Sequence, residues 1–168
     1  MSTDFNVWLE SFRQLHERAR RRLLTSDERV HYLESREQLA RSLLAAQGQR
    51  VPESALARRN FRVPKGLTVD VSFRSGSVRS RTLDLSSGGF SCLLPGNLAE
   101  NERIGFALWL PEEESDEGPV VGRARIASLS HEEERPRRVS FAFTDVSEPD
   151  AERLELLILD LALKYIVT

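Results

Sequence analysis

The period of the hydrophobic pattern changes partway along this chain. Up to about residue 47, apolar side chains recur at steps of three and four; from Leu67 onward they alternate. Steps of three and four gather side chains on one face of an α-helix, and strict alternation gathers them on one face of a β-strand. The chain must therefore build two kinds of structure in succession.

Residues 4–47 contain neither proline nor glycine and are rich in Leu, Ala, Arg, Glu and Gln, all good helix formers. Phe5, Trp8, Phe12, Leu15 and Ala19 form one helical stripe, and Val30, Leu33, Ala40 and Leu44 form a second, interrupted by Glu37. Between them Thr25-Ser26-Asp27-Glu28 carries the Thr-x-x-Glu spacing of a capping box. The pattern predicts two helices, about 4–24 and 26–47, paired as a hairpin; one long bent helix is the alternative. The stripe Phe5, Trp8, Phe12 and Leu15 is read as hairpin or homodimer core rather than a ligand site.

Val51-Pro52-Glu53-Ser54 reads as linker. Beyond it, Leu67–Phe73, Val78–Asp84, Gly88–Leu94, Ile104–Leu110, Val120–Leu129 and Arg138–Phe143 read as strands separated by turn residues, with Pro111–Gly118 an acidic loop. Six short antiparallel strands with tight turns suggest a small barrel. Ser147-Glu148-Pro149-Asp150 is a helix start. The helix that follows is apolar on one side through Leu154, Leu157, Ile158 and Leu161 and on the other through Leu156, Leu159 and Leu163, so burial on both sides is expected. The fold class is thus mainly β with α: an N-terminal helical region over 1–50, a linker over 51–57, and over 58–168 a six-stranded barrel with its C-terminal helix.

Charge and cysteine usage narrow the function. The formal net charge is −2, from 24 basic and 26 acidic residues, so the basic excess typical of duplex-binding proteins is missing and nucleic acid is disfavoured as a partner. Cys92 is the single cysteine, which precludes an internal disulfide, fits a cytoplasmic protein, and with three scattered histidines leaves no zinc site to assemble. The N-terminus lacks a signal-peptide pattern, and the apolar stretch Leu156–Val167, broken by Asp160 and Lys164, is too short to span a bilayer. No Ser/His/Asp or Cys/His arrangement suggests an enzyme, and no cofactor is implied. The basic run Arg18, Arg20, Arg21 and Arg22 reads as a solvated helix end, where positive charge is favoured.

Two stretches carry candidate chemistry. Arg58-Arg59-Asn60-Phe61-Arg62 precedes the first strand, and Asp84-Leu85-Ser86-Ser87-Gly88-Gly89 turns the second strand into the third. If these strands form a meander, both stretches meet at one barrel rim. Guanidinium forks bind phosphate oxygens or guanine O6 and N7 in bidentate fashion. A carboxylate such as that of Asp84 accepts from the N1–H and amine of guanine, a donor pair that adenine lacks. Ser86 can donate to phosphate or a base edge, and Gly88 and Gly89 permit close backbone approach and unusual backbone angles. The set suits a guanine nucleotide.

The pair of motifs resembles the signature of the PilZ domain family. Arg58 and Arg62, with three residues between them, match its first part, and Asp84, Ser86 and Gly89 match its second. Arg62-Val63-Pro64, Phe90 and the order of six strands followed by a helix also look like the family, over residues 57–165. Ser140 stands where many members place a glycine. The resemblance implies binding of cyclic di-GMP on the outer barrel surface, with the arginine-bearing lead-in folding over it. It leaves the N-terminal helices unexplained. The leading expectation is a cyclic di-GMP receptor that couples binding to a conformational change and a protein partner; the alternative is an adaptor of the same fold that binds no nucleotide and acts through its N-terminal helices.

Overall fold

The computed structural model describes residues 3–46, 61–111, 118–131 and 136–166. The chain divides into two compact units, one of residues 1–61 with 159–168 and one of residues 62–158.

The helical unit holds α1 (Thr3–Arg20), α2 (Ser26–Ala46) and the end of α3 (Glu148–Ile166). α2 starts at the expected capping box: the Glu28 N–H donates to Thr25 Oγ1 at 3.2 Å, and the Thr25 N–H donates to Glu28 Oε1 at 3.2 Å. α1 stops at Arg20, short of the expected residue 24. Arg22 takes φ of 59°, and the N–H groups of Leu23 and Arg22 donate back to the carbonyls of Arg18 and Ala19, a Schellman ending. Such endings usually use glycine, so an arginine in that place gave no sequence signal. Arg18 pairs with Glu28, Arg20 with Asp160, and Arg21 with Glu17, so the basic run is drawn into ion pairs at the helix end.

Both expected helical stripes are off centre. The buried residues of α1 include Leu9, Phe12 and His16, with Trp8 and Leu15 half-buried; those of α2 are Tyr32, Ser35, Arg36, Leu39, Ala40 and Leu44, with Val30 exposed. The displacement has a physical cause: polar residues sit on the inner faces. His16 is 3% exposed and lies 2.7 Å from both Tyr32 Oη, through Nδ1, and Asp160 Oδ1, through Nε2. The Arg36 guanidinium lies 5.3 Å from the centroid of the Tyr32 ring. Around this hub, Trp8, Phe12 and Tyr32 stack with centroid separations of 5.6 Å. Arg13 donates to the Leu163 carbonyl at 3.3 Å, tying α1 to the last turns of α3.

The barrel unit contains β1 (Val63–Pro64), β2 (Thr68–Phe73), β3 (Gly76–Ser86), β4 (Gly89–Leu94), β5 (Arg103–Leu108), β6 (Val120–Leu129) and β7 (Arg137–Val146). All pairings are antiparallel, in the order β1-β3-β2-β5-β6-β7-β4, and a further β3–β4 pairing closes the six long strands into a barrel. β2–β3–β4 and β5–β6–β7 are meanders, joined by the β2–β5 and β4–β7 pairings. β1 was not expected. It is two residues long and pairs Val63 with Leu85 and Pro64 with Asp84.

Alternating side chains fill the interior, among them Val69, Val71, Leu85, Phe90, Phe106, Leu108, Ile126 and Phe141. Phe90 packs on Phe141 at 5.0 Å and edge-on against Phe106 at 5.6 Å between ring centroids. Ser147 caps α3 as expected, its Oγ accepting from the Asp150 N–H at 3.3 Å. Leu154, Leu157, Leu159, Leu161 and Leu163 are all buried, so α3 is covered on more than one side.

Candidate functional site on the β3–β4–β7 wall

Asp84 faces outward because of a bulge. Register runs from Thr82 opposite Cys92 to Asp84 opposite Ser91, so β3 carries one extra residue at Leu83. Thr82 is buried, and strict alternation from it would turn Asp84 toward the core. The extra residue resets the alternation, so Leu85 points in and Asp84 points out.

Three donors converge on that carboxylate. Arg62 Nη1 donates to Oδ1 at 2.7 Å, Ser91 Oγ donates to Oδ1 at 2.8 Å, and Arg138 Nη2 donates to Oδ2 at 2.9 Å. The Asp84 side chain is 14% exposed, against 41% for Arg62 and 55% for Arg138. The acid is therefore anchored in the wall, while both guanidinium groups reach it from solvent.

Arg62 is held in place by the backbone around it. β1 lies beside β3. Thr82 Oγ1 donates to the Lys65 carbonyl at 2.6 Å and accepts from the Leu67 N–H at 2.8 Å. Arg81 donates to the Gly66 carbonyl at 2.9 Å. The lead-in thus meets the Asp84 end of β3, the convergence that the meander of the first three long strands implied.

The other candidates fall in different places. Arg58 and Arg59 lie outside the described residues. Ser86 is 1% exposed, and its hydroxyl accepts from the Gly88 N–H at 3.2 Å and donates to the Gly89 carbonyl at 3.3 Å, so it ties the turn together. Neither Gly88 nor Gly89 has positive φ; among the described glycines those are Gly76, Gly96 and Gly118. The requirement at Gly89 is steric instead: a Cβ there would stand 1.8 Å from the Phe141 carbonyl oxygen. Close approach is real, but to β7 within the chain. The Gly88 carbonyl accepts from the Phe143 N–H at 2.9 Å, which fixes the turn against the same strand.

Sequence reasoning missed Arg138 and Ser91. Arg138 alternates with buried Val139 and Phe141, which marks it as outward-facing. Its proximity to Asp84 depends on the β4–β7 pairing, between segments far apart in sequence. Ser140, the departure noted above, lies in register with Ser91 on this wall. Among the described residues no cluster of His, Cys, Asp and Glu is arranged to hold a metal, and no helix is long and apolar enough to cross a membrane.

The fold and wall define a class: a closed six-stranded antiparallel barrel whose lead-in delivers arginine to an acidic, serine-lined strand end. The family model for the PilZ domain matches residues 57–160, and the chain belongs to that family, whose members are binding modules rather than enzymes. Among solved structures it is similar to YcgR of Escherichia coli in complex with c-di-GMP, at 26% identity and a TM-score of 0.51, covering 62% of this chain and 46% of that one. It is also similar to the inhibitor of motility MotI/DgrA of Bacillus subtilis (19% identity, TM-score 0.53, 61% of this chain and 49% of that one). The MrkH–c-di-GMP complex of K. pneumonia is comparable (18% identity, TM-score 0.52, 62% and 51%). The chain spans about half the length of each of these proteins. Among curated proteins none matches.

Proposed function

We propose that this chain is a cytoplasmic cyclic di-GMP receptor whose ligand docks on the β3–β4–β7 wall. In this reading Asp84 accepts from the N1–H and amine of a guanine, and Arg62 turns from Asp84 to phosphate or to the guanine O6/N7 edge. Arg58 and Arg59, from the segment just before it, close over the dinucleotide. Ser86, Gly88 and Gly89 shape the turn beneath it, and Arg138 supplies a further guanidinium. The observation that carries the reading is the convergence of Arg62, Arg138 and Ser91 on Asp84.

The exchange of partners at Asp84 is inexpensive. Exposed ion pairs contribute about 0–1 kcal/mol, whereas a charge-assisted hydrogen bond to a ligand contributes about 1.5–3 kcal/mol. The lead-in then becomes an order-changing strap, and the output is a new face for a protein partner or for a homodimer through the N-terminal helices. The division into a helical region (1–50), a linker (51–57) and a PilZ barrel (58–168) belongs to the same reading. The PilZ match, the tie of Arg62 to Asp84 and the c-di-GMP complexes of similar folds support it.

Calorimetric titration with cyclic di-GMP tests it. Arg62→Ala and Arg138→Ala are each expected to weaken binding by about ten- to a hundredfold. Full affinity in both variants would remove the proposed role of this wall. Absence of binding by the unaltered protein would leave the adaptor reading in its place.

A further inference from the structure

The opposite wall of the barrel carries a second constellation. β5 and β6 stand three strands away from β4 and β3 around the ring. On their outer face Arg103 lies directly opposite Arg125, and Arg123 lies opposite Gly105. Like charges placed directly across a strand pair are destabilising. Among the described residues, Arg103 and Arg123 make no ion pair, and Arg125 has only a 3.4 Å hydrogen bond to the Asn101 side chain. Asp145, opposite Arg123 in register, is the nearest acid in that row.

Trp109, just past the end of β5, is 41% exposed, yet its indole is fixed. Nε1–H donates to Asp70 Oδ2 at 3.0 Å, and Arg79 grips the same carboxylate through Nε at 2.8 Å and Nη2 at 3.1 Å. These bonds, the Arg79 one foremost, hold the Asp70 carboxyl below its ordinary range, so it stays ionised. Val121, 51% exposed, lies opposite Ala107 on the same face.

Between the aromatic end and the arginine end runs a floor of small residues, Ser72, Gly105 and Ala107. Gly105 is not required by the fold. It lacks positive φ, and a Cβ there would meet nothing closer than 3.8 Å. Gly89 and Gly122 differ, since a Cβ at either would strike a backbone oxygen, at 1.8 and 2.4 Å. Neither strand pairing of β5 has a bulge at Gly105, and close approach of a ligand or of another backbone is a further reason for a glycine in mid-strand.

We propose that the outer face of β2–β5–β6 docks an extended acidic segment of a partner protein. Its backbone lies over Gly105, its carboxylates meet Arg103, Arg123 and Arg125, and one apolar side chain rests on Trp109 and Val121. Tryptophan and arginine are the residues that most often anchor such contacts. Single-stranded nucleic acid would need successive stacking rings, and the residues around Trp109 on this wall, Asp70, Ala107 and Val121, offer no second ring. The proposal is independent of the nucleotide site.

The test uses the full chain carrying Trp8→Phe, which leaves Trp109 as its only tryptophan. Its emission is followed during titration with a short acetylated peptide of pattern leucine, serine, glutamate, serine, glutamate. A lysine-for-glutamate peptide and a thymidine oligonucleotide are compared. The acidic peptide is expected to give a saturable shift that weakens with salt and is absent with the lysine peptide. Arg103→Ala with Arg125→Ala is expected to weaken binding about tenfold. Gly105→Val is expected to abolish binding without lowering the melting temperature, since valine suits a strand and its Cβ fits. No saturable shift, an unchanged response in Gly105→Val, or tighter binding of the oligonucleotide would overturn the proposal.

Discussion

Asp84 owes its place to its neighbours. Leu83 and Leu85 flank it as though both faced the core, but Leu85 is fully buried and Leu83 is 38% exposed. One extra residue decides which side of the barrel the carboxylate serves. Gly89 is the complementary case, where a single hydrogen replaces any side chain because the Phe141 carbonyl fills the space. Gly89→Ala is expected to cost about 1–3 kcal/mol, as overpacking does, and thermal unfolding measures it. Cys92 is fully buried in the barrel core, and that burial pushes its thiol up to about 12 from an ordinary value of 9.0. The folded state therefore keeps the thiol protonated where the unfolded chain would ionise. Stability drawn from this group is complete below pH 9.0 and declines as pH rises toward about 12. A thiol reagent at pH 8 should label Cys92 only as fast as the protein unfolds, and immediate labelling of the folded protein would contradict this.

At the scale of elements, local signals were legible and non-local ones were not. The Thr25–Glu28 capping box, the Ser147 cap and the alternation of the six long strands follow from residues a few positions apart, and the structure has them. The meeting of Arg62 with the Asp84 end of β3 followed from meander topology, also a local property. Arg138 was invisible at Asp84 because β4 and β7 pair across a long stretch of sequence. The inner faces of α1 and α2 were misplaced because His16, Ser35 and Arg36 are buried polar residues, which hydrophobic periodicity cannot detect. That polar hub gives its own prediction. Tyr32→Phe leaves His16 Nδ1 without its 2.7 Å partner and is expected to cost about 1–3 kcal/mol. Thermal unfolding followed by far-UV circular dichroism reads the loss, and an unchanged melting temperature would show that the hub does not stabilise the helices.

At the scale of the molecule, α3 is one continuous helix whose turns through Ile158 belong to the barrel unit and whose turns from Leu159 belong to the helical unit. Within the first, Arg153 donates to the Gly118 carbonyl at 2.6 Å; within the second, Asp160 meets His16 at 2.7 Å. The whole chain, with a net charge of −2, lacks the basic excess of a nucleic-acid binder. What the barrel offers instead is one anchored acid facing two exposed guanidinium groups. The most direct measurement on that arrangement compares cyclic di-GMP with cyclic di-AMP by calorimetry, in the unaltered protein and in Asp84→Ala. Strong preference for the guanine ligand, lost together with most of the affinity in Asp84→Ala, is the expected result. Equal binding of the two dinucleotides, or guanine preference that survives loss of the carboxylate, would show that this wall does not read the base.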